Sequence, residues 1–293
     1  MRPAHVAAAL ALAALACAAD ARAFCRSSVC SDGDEGKVCT PAESDDCGVA
    51  LQWQQPCVSF AIQRDGSRFV SVETARTVLQ ASFSAWTSAA CGTSSPTIQL
   101  LDFGTVTCDH VEYNEHAGNA NVLMFRDDKW PYPDDGTTDT IALTTVTYDT
   151  NTGAIYDADI EVNSANNTFS TDDPPSATDL QSVLTHETGH FLGMAHDTVD
   201  ADATMAPYYQ PGVSMRSLAP ADLAGICTVY PQDRGADGAC TGIPRHGFAP
   251  ECANDQPETN CAFSPPGAID GVGLGALAAA ALAARARRRR RQR

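Results

Sequence analysis

Three of the seven histidines of this 293-residue chain fall in one run of eleven, His186-Glu187-Thr188-Gly189-His190-Phe191-Leu192-Gly193-Met194-Ala195-His196. Side chains four apart on a helix share a face, with Cβ atoms about 5–6 Å apart, so His186 and His190 can turn their imidazoles to one ion. Glu187 sits about 100° round the same turn. From there it can hold a metal-bound water without ligating, as a general base for hydrolysis. His196 cannot ligate from the same straight helix. Gly193 supplies the break, because glycine reaches positive φ without strain. Three protein ligands leave a fourth position open, which marks a catalytic zinc rather than a structural one. A bare His-Glu-x-x-His arises by chance in roughly 1% of chains this long, and the pattern with the added Gly and His in roughly 1 in 10⁵. That rarity argues against the bland reading, histidines on an ordinary amphipathic helix.

The elements that must position these residues are readable from pattern. Asp179 is a candidate N-cap for a helix running to about Met194. Ser71–Ala90 carries Val72, Ala75, Leu79, Phe83 and Trp86 in steps of three and four, predicting an amphipathic helix. A last helix is expected over roughly Pro220–Tyr230, stopped by Pro231. Strands are expected at Cys57–Gln63, Thr97–Phe103, Asn121–Phe125, Ile141–Tyr148 and Ala154–Val162, the last two joined by the turn Asp149-Thr150-Asn151-Thr152-Gly153. Asn163–Ala177 reads as a polar loop.

Both ends resemble addresses. Residues 1–23 have the form of a signal peptide, with an apolar run over Val6–Ala19 and Ala21-Arg22-Ala23 as cleavage site, predicting a mature start at Phe24. Lipidation at Cys17 is the rival reading. Residues 24–56 read as a Cys-rich N-terminal arm and 232–266 as a Cys/Pro-rich linker. In residues 267–293 the uncharged run Gly271–Ala284 precedes seven arginines, Arg285, Arg287–Arg291 and Arg293. The run is shorter than the roughly 20 residues a spanning helix needs. It resembles a bacterial sorting tail that serves as a transient membrane anchor. The alternative, a nucleic-acid-binding tail, fits poorly with an exported chain. Residues 24–264 hold 10 of the 19 basic and 34 of the 36 acidic residues, a net charge of about −24. Such a body does not suit nucleic acid; it suits solubility outside the cell. If Cys17 and Cys261 leave with the two ends, ten of the twelve cysteines remain, an even number that fits full pairing in an oxidising compartment.

The zinc pattern, followed nine residues later by Met205 in Ala203-Thr204-Met205-Ala206-Pro207-Tyr208-Tyr209, resembles the metzincin peptidases and their Met-turn. Within them the matrixins are closest: Pro207 and Tyr209 match the wall of the specificity pocket, Leu218–Tyr230 resembles the final helix, and Ala75–Trp86 resembles the first. The likeness runs over residues 57–231. It implies an α+β (mixed α/β) catalytic domain, a twisted five-stranded mixed sheet with three helices, and a zinc cleft between a sheet-bearing upper and a small lower subdomain. It also implies catalytic Zn²⁺ on His186, His190 and His196, Glu187 as base, Met205 beneath the metal, and a protein or peptide substrate lying along the edge strand Ile141–Tyr148. Ser182, four before His186, lines the pocket in this comparison, and its small size hints at an open one. Structural Ca²⁺ on Asp157, Asp159 and Asp149 is a further expectation, with Asp134, Asp135, Asp139, Asn151 and Glu161 nearby. Hairpin turns and solvated acids are the competing and somewhat better reading of these residues.

Asp197 follows the third histidine, where matrixins usually have Ser and adamalysin-type enzymes have Asp. No zinc-blocking Pro-Arg-Cys-Gly-type cysteine is present. His110 and His116 are candidates for a second zinc, with surface histidines as the alternative. Pro207 stands where an astacin-type tyrosine ligand would be. The expectation is a secreted or cell-surface monomeric zinc metalloendopeptidase. The alternatives are another zinc amide hydrolase such as a cell-wall amidase, or a displayed binding module with an idle zinc site.

Overall fold

Five strands whose residues alternate between two apolar faces carry the site. The computed structural model describes residues 24, 26–28, 49–132, 140–211, 214–234, 239–252 and 270–271. The expected signal peptide, most of the expected N-terminal arm, the Arg-rich tail, and Asp134, Asp135 and Asp139 lie outside the described residues. Strands β1 (Cys57–Gln63), β2 (Gln99–Val106), β3 (Val122–Phe125), β4 (Ala142–Tyr148) and β5 (Ile155–Val162) form one sheet in the order β2-β1-β3-β5-β4. All pairings are parallel except β4, which runs antiparallel to β5 at one edge. The sheet is therefore mixed, as the resemblance implies. β2 runs further than the sequence suggests, because Gly104 at φ +88° lies beside a register shift between Phe60 and Ile62.

One face carries Val58, Phe60, Ile62, Leu123, Phe125, Val146, Ala158, Ile160 and Val162, and the main core forms on it. Two helices cover that face. In α1 (Val72–Thr87), Ser71 caps the N-terminus by accepting from Thr74 N, and Ala75, Leu79, Phe83 and Trp86 are buried. In α2 (Leu180–Phe191), Asp179 caps by accepting from Ser182 N, and every residue but Gln181 is buried. A third helix, α3 (Pro220–Val229), is tied to the end of α1 by the Cys91–Cys227 disulfide. The expected polar loop contains a two-residue parallel pairing of Phe169–Ser170 with Thr178–Asp179. Among the described residues no helix is long and apolar enough to cross a membrane.

The sheet's other face is covered by chain in the stretch expected to be a linker. Residues 239–252 are bonded to the domain through Cys57–Cys240 and Cys108–Cys252. Asn119 donates its backbone N–H to Gly247 O of this strap and accepts from Ala249 N, and Phe248 packs edge-on against Phe103 at 5.1 Å. The strap closes a second apolar cluster of Ala61, Val106, Val122 and Met124. Sequence alone missed this because the strap lacks periodicity; its cysteines, spaced to two distant strands, held the only signal.

Each strap disulfide closes a loop of more than a hundred residues, and such bridges typically stabilise by about 2–4 kcal/mol. Cys108→Ser with Cys252→Ser should therefore lower the unfolding free energy by about that amount in chemical denaturation. Zinc content, measured after dialysis, should remain unchanged.

Candidate active site

α2 stops at Phe191 rather than Met194, and the stop creates the site. Its last carbonyls find side-chain donors instead of another helical turn. Trp53 Nε1 donates to Phe191 O at 2.7 Å and Tyr230 OH donates to Leu192 O at 2.9 Å. Gly193 then turns to φ +89°, where a Cβ would stand 2.6 Å from Leu51 O, so no other residue fits. The chain swings back and brings His196 to the two helix histidines.

His186 Nε2 lies 3.0 Å from His190 Nε2 and 3.2 Å from His196 Nε2. His186 donates Nδ1–H to Thr204 O at 2.7 Å, and His190 donates Nδ1–H to Met194 O at 2.8 Å. In that tautomer each Nε2 keeps its lone pair for a metal. Nitrogens bound tetrahedrally at about 2.0–2.1 Å from zinc stand about 3.3 Å apart, so the observed spacing fits the ion. Burial holds all three rings neutral. His190 is lowered to about 4 by burial, His196 to about 2 by burial and the neighbouring His190, and His186 well below its ordinary value for the same reasons.

Glu187 is completely buried on the same helix. Burial pushes its carboxyl up to about 8, against a hydrogen bond from Thr144 that acts the other way. A dication on the histidines would also favour the carboxylate. Oε2 accepts from Thr144 Oγ1 at 2.6 Å, while Oε1 is buried without a hydrogen-bond partner. Thr144 belongs to the edge strand β4.

Below the histidines, Asp222 of α3 clamps the turn around Met205. Its carboxylate accepts from Thr204 N at 2.8 Å, Met205 N at 3.2 Å and Ala219 N at 2.9 Å. This fixes Thr204 O for His186. Met205 packs against α2 at Gly189, where a Cβ would stand 2.3 Å from its sulfur. Asp197 N donates to Met205 O, and Asp197 Oδ1 accepts from Val199 N and Asp200 N. The residue that departs from the usual matrixin pattern thus shapes the loop between third histidine and Met-turn.

Tyr209 is buried with Ile141, Ala142 and Val183, and its OH accepts from Asp179 N. Pro207 is half-buried two residues before it. Ser182 does not face open space. It is 1% exposed, its Oγ donates to Asp179 Oδ2 at 2.5 Å and accepts from Met215 N at 2.8 Å, and Arg216 grips the same Asp179 through both carboxylate oxygens.

The acidic residues separate. Asp149 is used in the β4–β5 turn, accepting from Asn151 N, Thr152 N and Tyr156 OH. Asp157 and Asp159 are buried on the strap side of β5, where burial first, then repulsion from Asp159 and Glu112 on Asp157 and from Glu161 and Glu112 on Asp159, raises both carboxyls. Glu161 is paired with Arg126 and Tyr132. His110 stands beside Cys108 and Cys252, whose sulfurs are consumed by their disulfide, and His116 is exposed. Among the described residues, only His186, His190 and His196 form a cluster of free metal-ligating groups.

The matrixin family model matches residues 52–231, more than half of the chain. The chain belongs to the matrixin family. Similar relatives are a hatching enzyme of Paracentrotus lividus, 42% identical over 66 residues (22% of this chain, 11% of that protein), and Metalloendoproteinase 5-MMP of Arabidopsis thaliana, 42% identical over 60 residues (20% and 16%). Metalloendoproteinase 1-MMP of the same plant is 41% identical over 54 residues (18% and 15%). The chain thus covers well under a fifth of the length of each of these relatives.

Each of His186, His190 and His196 binds its proton more weakly in the folded metal-free protein than in the unfolded chain, so acid favours unfolding. Stability should be intact above the ordinary value of 6.5 and fall below it, by on the order of 2 kcal/mol at pH 5 for the His190 contribution alone. Denaturant titrations of metal-free protein at pH 7 and pH 5 check this, and His190→Ala should flatten the difference.

Proposed function

We propose that this matrixin is an extracellular zinc metalloendopeptidase that cleaves extended protein or peptide substrates. The observation that supports this most is the convergence of three neutral imidazole Nε2 atoms beside a buried carboxylate with one unpartnered oxygen. His186, His190 and His196 would hold the metal. Zinc, when bound, lowers the pKa of a water and polarises the scissile carbonyl. Glu187 takes a proton at Oε1 from the attacking water and returns it to the leaving amine. The substrate main chain lies extended along the edge strand β4 and pairs with it main chain to main chain. An idle zinc site would have no need of the base, so the retained Glu187 favours catalysis over a displayed binding module.

Pro207 and Tyr209 form one wall of the pocket for the residue after the cleaved bond. Ser182, engaged by Asp179 and Met215, is not part of that wall. The three disulfides among the described residues support an oxidising compartment. Export by residues 1–23 and a transient anchor in residues 267–293 complete this reading from sequence. Asp157 and Asp159 support a structural Ca²⁺: both are buried, and Asp157 Oδ1 has no partner.

Glu187→Ala should keep fold and zinc yet lose at least about 10³-fold in hydrolysis of casein or a quenched peptide. Comparable hydrolysis by that variant would sink the assignment. Added Ca²⁺ should raise the melting temperature of the protein, and Asp157→Asn should abolish the rise; identical melting curves with and without Ca²⁺ would remove the calcium site.

A further inference from the structure

Thr144 is out of character with its row. On β4 the inward positions Ala142, Thr144 and Val146 face Val162, Ile160 and Ala158 of β5, so an apolar residue is expected at the middle. A buried hydroxyl costs free energy unless it is hydrogen-bonded, and Thr144 is fully buried. Two acceptors lie within reach, Glu187 O at 3.1 Å and Glu187 Oε2 at 2.6 Å. The hydroxyl carries a single proton. The shorter contact, to a group that ionises, is the stronger of the two.

Glu187 needs such a contact. Its terminal torsion is broad and roughly two-fold, so a carboxylate in an apolar site has no intrinsic orientation. Threonine is stiff at χ1, and on a paired strand its hydroxyl is fixed in space. Anchoring Oε2 leaves Oε1, which has no partner, as the oxygen presented for proton transfer.

We propose that Thr144 is a positioning residue for Glu187, and that it ties the orientation of the base to the strand along which the substrate lies. The inference rests on Glu187 being the base. Substrate pairing with β4 then orders the same segment that holds the carboxylate, so a well-seated peptide meets a correctly turned base.

The test uses zinc-loaded protein carrying Thr144→Val, which keeps the shape and removes the hydroxyl, and Thr144→Ser, which keeps the hydroxyl. With a quenched fluorescent peptide, Thr144→Val should lower kcat about tenfold with KM within about twofold, and Thr144→Ser should restore most of the loss. Zinc affinity by chelator competition should stay within about twofold of wild type in both. Independently of turnover, the Glu187 carboxylate band, isolated by infrared difference against Glu187→Gln, should be single and narrow in wild type. It should broaden or shift in Thr144→Val and return in Thr144→Ser. An unchanged kcat and infrared band in Thr144→Val would overturn the proposal. So would a KM rise matching the loss in kcat, or a loss that Ser fails to restore, since either marks a damaged strand. Full activity in Glu187→Ala would instead overturn the reading of the base.

Discussion

Two imidazoles, His186 and His190, are buried and His196 is half-buried; the Nε2 atoms of His190 and His196 lie about 3 Å from that of His186, and the chain around them is arranged to make that possible. Buried rings must be neutral, and their remaining N–H groups must be satisfied. Thr204 O and Met194 O supply acceptors for the two helix histidines, which fixes both tautomers before any metal arrives. Holding Thr204 O in place requires the Asp222 clamp, hence α3 in its position, hence the Cys91–Cys227 bond that ties α3 to α1. Holding Met194 O requires the helix to end at Phe191 and Gly193 to reverse the chain.

The same constraint explains why some residues far apart in sequence belong to one device. Trp53 and Tyr230 lie at opposite ends of the matched domain, yet both satisfy carbonyls at the end of α2. Trp86 Nε1 likewise donates to Thr185 O, one residue before the first ligand. These indoles and this phenol are large buried groups with one polar atom each, and α2 offers the acceptors. Gly189 is small because Met205 and Trp86 occupy the space its side chain would need.

The convergence of His186, His190 and His196 beside Glu187, and the turn at Met205, were legible because their spacing is fixed along one short segment. The strands and helices were legible because their apolar residues follow the period of the element, and only the ends shifted where side chains capped carbonyls or a glycine carried a strand onward. Contacts across the fold were not legible. Nothing in the residue Ser182 says that Asp179 and Met215 occupy its hydroxyl, and nothing in Thr144 says that its hydroxyl meets Glu187. The strap over the second sheet face was hidden for the same reason, since disulfide partners 144 and 183 residues apart are set by topology alone. Asp149, Asp157 and Asp159 look alike in sequence, but a turn consumes the first and the sheet buries the others.

The central claim is that three histidine nitrogens, and no sulfur, hold one zinc. X-ray absorption at the zinc K-edge of protein loaded with one equivalent of zinc tests it directly. The structure predicts three imidazole nitrogens and one oxygen ligand at about 2.0–2.1 Å, with one imidazole lost in His196→Ala. A sulfur shell at about 2.3 Å, or a spectrum unaltered by His196→Ala, would contradict the account.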